Sequence, residues 1–142
     1  MTVYAAPTSR FLTTLNGTLE GIPAAWRVER QYLPATTWNP AETVYALYVA
    51  TDAPAWEGLA DVVTSLEAAA EYLVDVAQAF TTCDWCCEQA THRVIDSTDE
   101  LICTGCLADH RGGTPAREYA RKLTRNQRVA VLLADLIARD AD

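Results

Sequence analysis

The sequence predicts an α+β fold: an N-terminal β-hairpin packed on long amphipathic helices, with a small four-cysteine module inserted between two of those helices. Three observations predict it. Two stretches rich in β-branched and aromatic residues lie in the first third, "WRVERQYL" (26–33) and "TVYALYVA" (43–50). Apolar residues then recur at helical spacing on both sides of residue 90. All five cysteines fall in one short segment, "CDWCCEQATHRVIDSTDELICTGC" (83–106). The 142 residues therefore divide into an α+β region ending in a long helix (1–82), a cysteine module (83–113), and a C-terminal helical segment that packs back on the first region (114–142).

Taken in order, "TSRFLTTLNG" reads as a short helix ended by Asn16-Gly17. The strand "WRVERQYL" alternates Trp26, Val28, Arg30 and Tyr32 against Arg27, Glu29 and Gln31. The prolines and Asn-Pro of "PATTWNPAE" make a loop before the second strand, so the pair forms a hairpin with a long connection. After Asp52 and Pro54, the residues Trp56, Leu59, Val63, Leu66, Ala70, Leu73, Ala77 and Phe80 recur at intervals of three and four. That stripe predicts a helix of some seven turns, roughly 37 Å long. Beyond the cysteines, Thr114 reads as an N-cap with Pro115 at the first helical position. Tyr119, Leu123, Asn126, Ala130, Leu133 and Ile137 continue at helical spacing. Thr124 and Gln127 fit a capping box, so a break near residue 124 is the alternative to one continuous helix.

Composition narrows the class. Half of the residues are apolar, enough for a core, and no apolar run approaches the roughly 18 residues that span a bilayer. The opening "MTVYAAPTSRF" has neither the basic nor the apolar region of a signal peptide, which leaves the cytoplasm as the expected location. Thiols stay reduced there, and stable disulfides are uncommon. Net charge is −8, distributed as −6 over 1–82, −4 over 83–113 and +2 over 114–142. An acidic body does not suit wholesale phosphate neutralisation, and only the basic tail keeps nucleic acid open as a partner. On a continuous helix, Arg117, Arg121, Arg125 and Arg128 share one face with Lys122 nearby, a candidate contact strip for a partner or for nucleic acid.

The cysteines are arranged as Cys83-x2-Cys86 and Cys103-x2-Cys106, with sixteen residues between the pairs. Two such knuckles suit Zn²⁺, which takes four ligands tetrahedrally with sulfur at about 2.3 Å. An iron–sulfur cluster, disulfides and a thioredoxin-like redox motif are the alternatives. In the zinc reading "THRVI" forms a strand, "DSTDE" a polar turn and "LIC" the returning strand, and "LADH" begins a short helix. Gly105 then supplies a left-handed position inside the second knuckle. Cys87 is a fifth thiol, in a place where such knuckles often carry glycine. His92 and His110 could each replace a cysteine, although four thiolates already fill the shell.

This pattern resembles treble-clef and zinc-ribbon modules over about 28 residues. It is similar to the zinc-binding domain of the Clp unfoldase, which binds adaptor proteins, and to the zinc finger of the DksA/TraR family, which acts on RNA polymerase. Only the metal ligands carry over, because one long helix precedes Cys83 and no acidic hairpin tip is identifiable. Ten of the eleven basic residues are arginine, a bias resembling that of actinobacterial or actinophage proteins.

A closed tetrathiolate leaves no open coordination position, and the chain carries no G-x-S-x-G, P-loop or G-x-G-x-x-G. The expectation is a non-enzymatic, zinc-stabilised protein that binds a protein partner, with a phage- or mobile-element-encoded modulator of a host machine as one form of it. The alternative is a transcriptional regulator that contacts DNA or RNA polymerase through the basic tail. A component whose long helices oligomerise is a third reading.

Overall fold

The structure is a computed structural model, and it describes residues 8–95 and 100–141. These form two compact units, one built from residues up to Ala79 together with those from Leu132 onward, the other from Phe80–Val131. Among the described residues no helix is long and apolar enough to cross a membrane.

The first unit is a four-stranded antiparallel meander in the order β1-β2-β3-β4. Strand β1 (Thr8–Leu19) turns through Glu20 and Gly21, both at positive φ, into β2 (Ile22–Leu33). Two positive φ values suit the tight two-residue turn that matches strand twist. The segment expected to be a short helix is thus a strand. Its threonines favour extended backbone, and Asn16-Gly17 stops nothing, because Gly17 pairs with Ala24 in mid-ladder. Glycine is needed there for a close approach: a Cβ at Gly17 would lie 2.5 Å from the Ala77 carbonyl oxygen. Thr18 N–H donates to that same oxygen at 2.6 Å.

The two expected strands and their long connection are present. Strand β2 pairs with β3 (Glu42–Asp52) from Leu33↔Glu42 to Ala24↔Thr51. Trp26, Val28, Leu47 and Val49 lie fully buried on the face they share. The Trp26 indole N–H donates to the Thr18 carbonyl at 3.0 Å, and its ring meets Tyr72 edge-on at 5.6 Å.

The seven-turn helix is not there. Its first third is an edge strand, β4 (Ala55–Val63), and only α1 (Leu66–Asp75) is helical. The reason is a β-bulge. Tyr48 pairs with Leu59 and Leu47 with Asp61, so Ala60 is an extra residue. The bulge puts Trp56 and Val63 of the stripe, seven residues or two helical turns apart, on one face of the strand, which imitates helical spacing. Helix α1 starts at Ser65, whose hydroxyl oxygen accepts from Ala68 N–H at 3.0 Å. It buries Ala69, Ala70 and Leu73 and ends at Val76.

In the second unit a small sheet runs in the order β6-β5-β7, with β5 (His92–Val94), β6 (Leu101–Ile102) and β7 (Ala120–Lys122) all antiparallel to their neighbours. Helix α2 (Thr104–His110) follows β6, and α3 (Ala116–Tyr119) leads into β7. The "THRVI" and "LIC" strands are as expected, but the helix expected to begin with "LADH" starts earlier, at Thr104, and takes the second knuckle into its first turn. Residues 96–99 of the expected polar turn lie outside the described residues. The tail is not one continuous helix but α3, β7 and a last helix that starts at the expected break near residue 124. Pro115, not Thr114, occupies the N-cap of α3 and makes no side-chain cap bond. Ala120 is extended, and Leu123 N–H donates to Thr91 O at 2.9 Å. Thr124 and Gln127 then start α4 (Arg125–Asp140) through the expected reciprocal box: Thr124 N–H to Gln127 Oε1 at 2.9 Å and Gln127 N–H to Thr124 Oγ1 at 3.2 Å. No pair of long helices flanks the cysteines.

The last turns of α4 belong to the first unit. Leu132 and Leu136 are buried, and the Asp140 carboxylate accepts from Arg30 at 3.0 Å and from the Tyr45 hydroxyl at 3.1 Å. Arg10 donates to the carbonyls of Asp140 and Arg139 at 2.9 and 3.0 Å, covering the helix's free C-terminal acceptors.

Candidate metal centre

The first cysteine pair sits in a tight hairpin. Thr82 and Gln89 form an isolated antiparallel bridge, and Cys83 N–H donates to Glu88 O at 2.7 Å. Cys87 N–H returns to Cys83 O at 3.1 Å, closing the turn. Asp84 anchors it to β6: its N–H donates to Leu101 O at 2.9 Å, and its carboxylate accepts from Leu101 N–H at 2.7 Å. The second pair is delivered by α2. Cys103 is the N-cap, and its sulfur accepts from Cys106 N–H at 3.4 Å.

Knuckle, hairpin and helix therefore bring Cys83, Cys86, Cys103 and Cys106 together, with all four Sγ atoms within 4.8 Å of one another. Cys86 Sγ and Cys103 Sγ are 3.5 Å apart, and none of the five cysteines is in a disulfide. A tetrahedron of sulfurs at 2.3 Å from one ion has edges of roughly 3.8 Å. The donor set and its spacing fit a single tetrahedral ion. The surroundings fit as well: Cys83 and Cys103 are buried in a small cluster with Val94, Ile102, Leu107 and Ala120, against which Cys106 and Tyr119 pack.

Electrostatics fit a cation at the same place. Burial pushes the Cys83 thiol up, but N–H groups of Trp85, Cys103 and Cys86 and the Cys106 side chain outweigh it and bring it down to about 6. Trp85 N–H approaches that sulfur at 3.5 Å. The Cys86 thiol is held up: the Glu88 N–H lowers it, but the neighbouring Cys103 thiol and burial prevail. Cys106 is raised by the Cys86 thiol first and by burial next. Thiols this close resist joint ionisation unless a cation neutralises them.

Several expectations are corrected here. Gly105 lies inside α2 and not at positive φ; the left-handed residue beside a cysteine knuckle is Cys87, at φ 65°, and Gly112, at φ 57°, follows α2. Cys87 is exposed and outside the sulfur cluster. Neither histidine joins the cluster. His92 Nδ1 lies 2.7 Å from Thr91 Oγ1, and burial with nearby Lys122 lowers its pKa. His110 stacks on Trp85 with ring centroids 5.1 Å apart. The basic strip is not one helical face: Arg117 is on α3, Arg121 and Lys122 are on β7, and Arg125 and Arg128 are on α4. The sequence reading missed Arg93, which strand pairing sets directly opposite Arg121. Reading the tail as helix hid that pairing. Comparison with protein-family models, curated proteins and solved structures finds no match to the chain.

Proposed function

We propose that this chain is a non-enzymatic protein whose 80–131 unit is held together by a zinc ion on Cys83, Cys86, Cys103 and Cys106, and that it works by binding another protein. The observation that carries this reading is the convergence of four sulfurs within 4.8 Å. Sulfurs this close surround one ion, whereas a cubane of four irons binds each cysteine through a different metal atom and spreads them. Four thiolates also complete the shell, leaving no position for a substrate or a reactive water. The knuckle, hairpin and helix order supports a treble-clef reading of the module.

The binding role draws on what the module displays. Trp85 sits at the knuckle, stacked on His110 yet 40% exposed, and Ile95 is 43% exposed. Aromatic side chains with partly open faces are enriched at interfaces. Two measurements test the proposal. Elemental analysis of freshly purified protein should give one zinc per chain, and its absence removes the basis of the reading. Quantitative affinity capture should retain a discrete partner on the zinc-loaded protein and lose it with Trp85→Ala at unchanged zinc content. Retention indifferent to both zinc and Trp85 contradicts the assignment.

A further inference from the structure

The three-stranded sheet carries a pair of like charges that nothing in it neutralises. In the β5–β7 ladder Val94 faces Ala120 within the buried cluster, so the next row, Arg93 and Arg121, lies on the opposite face of the sheet. Ile95 N–H donates to Tyr119 O and Leu123 N–H to Thr91 O, each at 2.9 Å, two residues to either side. Arg93 and Arg121 are therefore a hydrogen-bonded pair with Cα atoms roughly 5.5 Å apart. Like charges directly opposite are destabilising. Leu101, the third member of the row, offers no counter-charge. Among the described residues neither arginine forms an ion pair, and Arg93 Nε is buried with no hydrogen-bond partner. Arg121 is exposed, and Lys122 follows it at the sheet edge.

We infer that Arg93 and Arg121 form a binding site for a phosphate monoester, carried by a phosphorylated side chain of the protein partner. Two guanidinium groups carried by directly opposed residues present a charge of +2 and several forked N–H donors. A phosphate monoester matches both, with close to two negative charges and three acceptor oxygens, where a carboxylate offers half the charge. Charge distribution disfavours a nucleic-acid backbone. Residues 80–131 hold seven basic and seven acidic side chains, while the remainder of the chain carries the entire net −8. That field opposes a long polyanion far more than a single dianionic group. The occupant rests on the protein-binding reading above; the anion site itself does not.

The test is NMR of the zinc-loaded full-length protein, following the arginine Nε–Hε signals. The probes are inorganic phosphate, a short phosphoserine peptide, its unphosphorylated twin, and an oligonucleotide without terminal phosphates. The expected result is a saturable shift of the Arg93 and Arg121 signals with the phosphopeptide and a smaller one with inorganic phosphate. The unphosphorylated peptide should give none. R121A, at an exposed edge position, should weaken phosphopeptide binding at least about tenfold, on the scale of one charge-assisted hydrogen bond. R121K should restore only part of it, because lysine lacks the fork. No saturable shift, or an R121A protein that binds as well, overturns the site. An equal response to the oligonucleotide overturns its assigned occupant. Zinc content, measured on each variant, separates failure here from failure of the metal reading.

Discussion

Cys87 is the residue where backbone and side chain disagree most. At φ 65° an L-residue crowds its own carbonyl, and glycine relieves the strain. Because its thiol is exposed and apart from the sulfur cluster, Cys87→Gly is expected to stabilise the protein by about 0.5–1 kcal/mol. Zinc stoichiometry should not change, as thermal melts and elemental analysis will show. The sequence already marked this position as one where such knuckles often carry glycine, yet assigned the left-handed turn to Gly105. Glycine permits that conformation but does not require it. Tyr45 supports a second expectation at this scale. Burial, then the hydrogen bond to Asp140, then that carboxylate's charge raise its pKa above the ordinary 10, against a smaller lowering by Arg30. A raised phenol stabilises the fold fully below pH 10, and that share is lost as pH rises through the folded value. Tyr45→Phe should therefore flatten the alkaline limb of the stability profile measured by urea melts.

At the scale of elements, the hairpin at β2 and β3 was legible because alternation and β-branching agree with burial on one face. Strand β4 was not. Its bulge at Ala60 places Trp56 and Val63, an odd seven residues apart, on one face as two helical turns would, and the run then merges in register with the true helix beginning at Leu66. Ser65 was the available signal, an N-cap residue in the middle of the apparent stripe. Strand β7 was hidden differently. Three residues have no periodicity, and only the ladder to β5, a long-range contact, makes them extended. By contrast the start of α4 was readable, since Thr124 and Gln127 lie three residues apart in the order a capping box needs. Both halves of that box exist, so Thr124→Ala is expected to cost about 1 kcal/mol in chemical denaturation. Gln127→Ala removes the other bond, Thr124 N–H to the Gln127 amide oxygen, and should cost less, because the N-cap hydroxyl that accepts from the helix N–H is kept.

At the scale of the molecule, the two units differ in what sustains them. The sheet unit buries Trp26, Leu47, Leu73, Leu132 and Leu136 almost completely, an apolar core that includes large side chains. Among the described residues the 80–131 unit buries, besides two cysteines, only Ala90, Val94, Ile102, Leu107, Ala120, Leu123 and Val129, none of them aromatic. So few apolar side chains cannot offset the entropy of ordering some fifty residues. A structural zinc contributes an apparent 10 kcal/mol or more in small modules. The four clustered cysteines were legible in the sequence because their spacing encodes local turns, and so was the β5–β6 hairpin between them, whereas β7, the third strand of the sheet, was not. Metal removal should therefore act selectively. With excess chelator under reducing conditions, amide signals of His92–Val94 and Leu101–His110 should collapse toward unfolded positions, while those of β2 and β3 remain. Cys103→Ser should reproduce the effect, because it deletes one ligand and the sulfur that caps α2. Survival of the His92–Val94 signals after complete metal removal would show that packing alone maintains this unit, and the zinc would then have no structural work left to do.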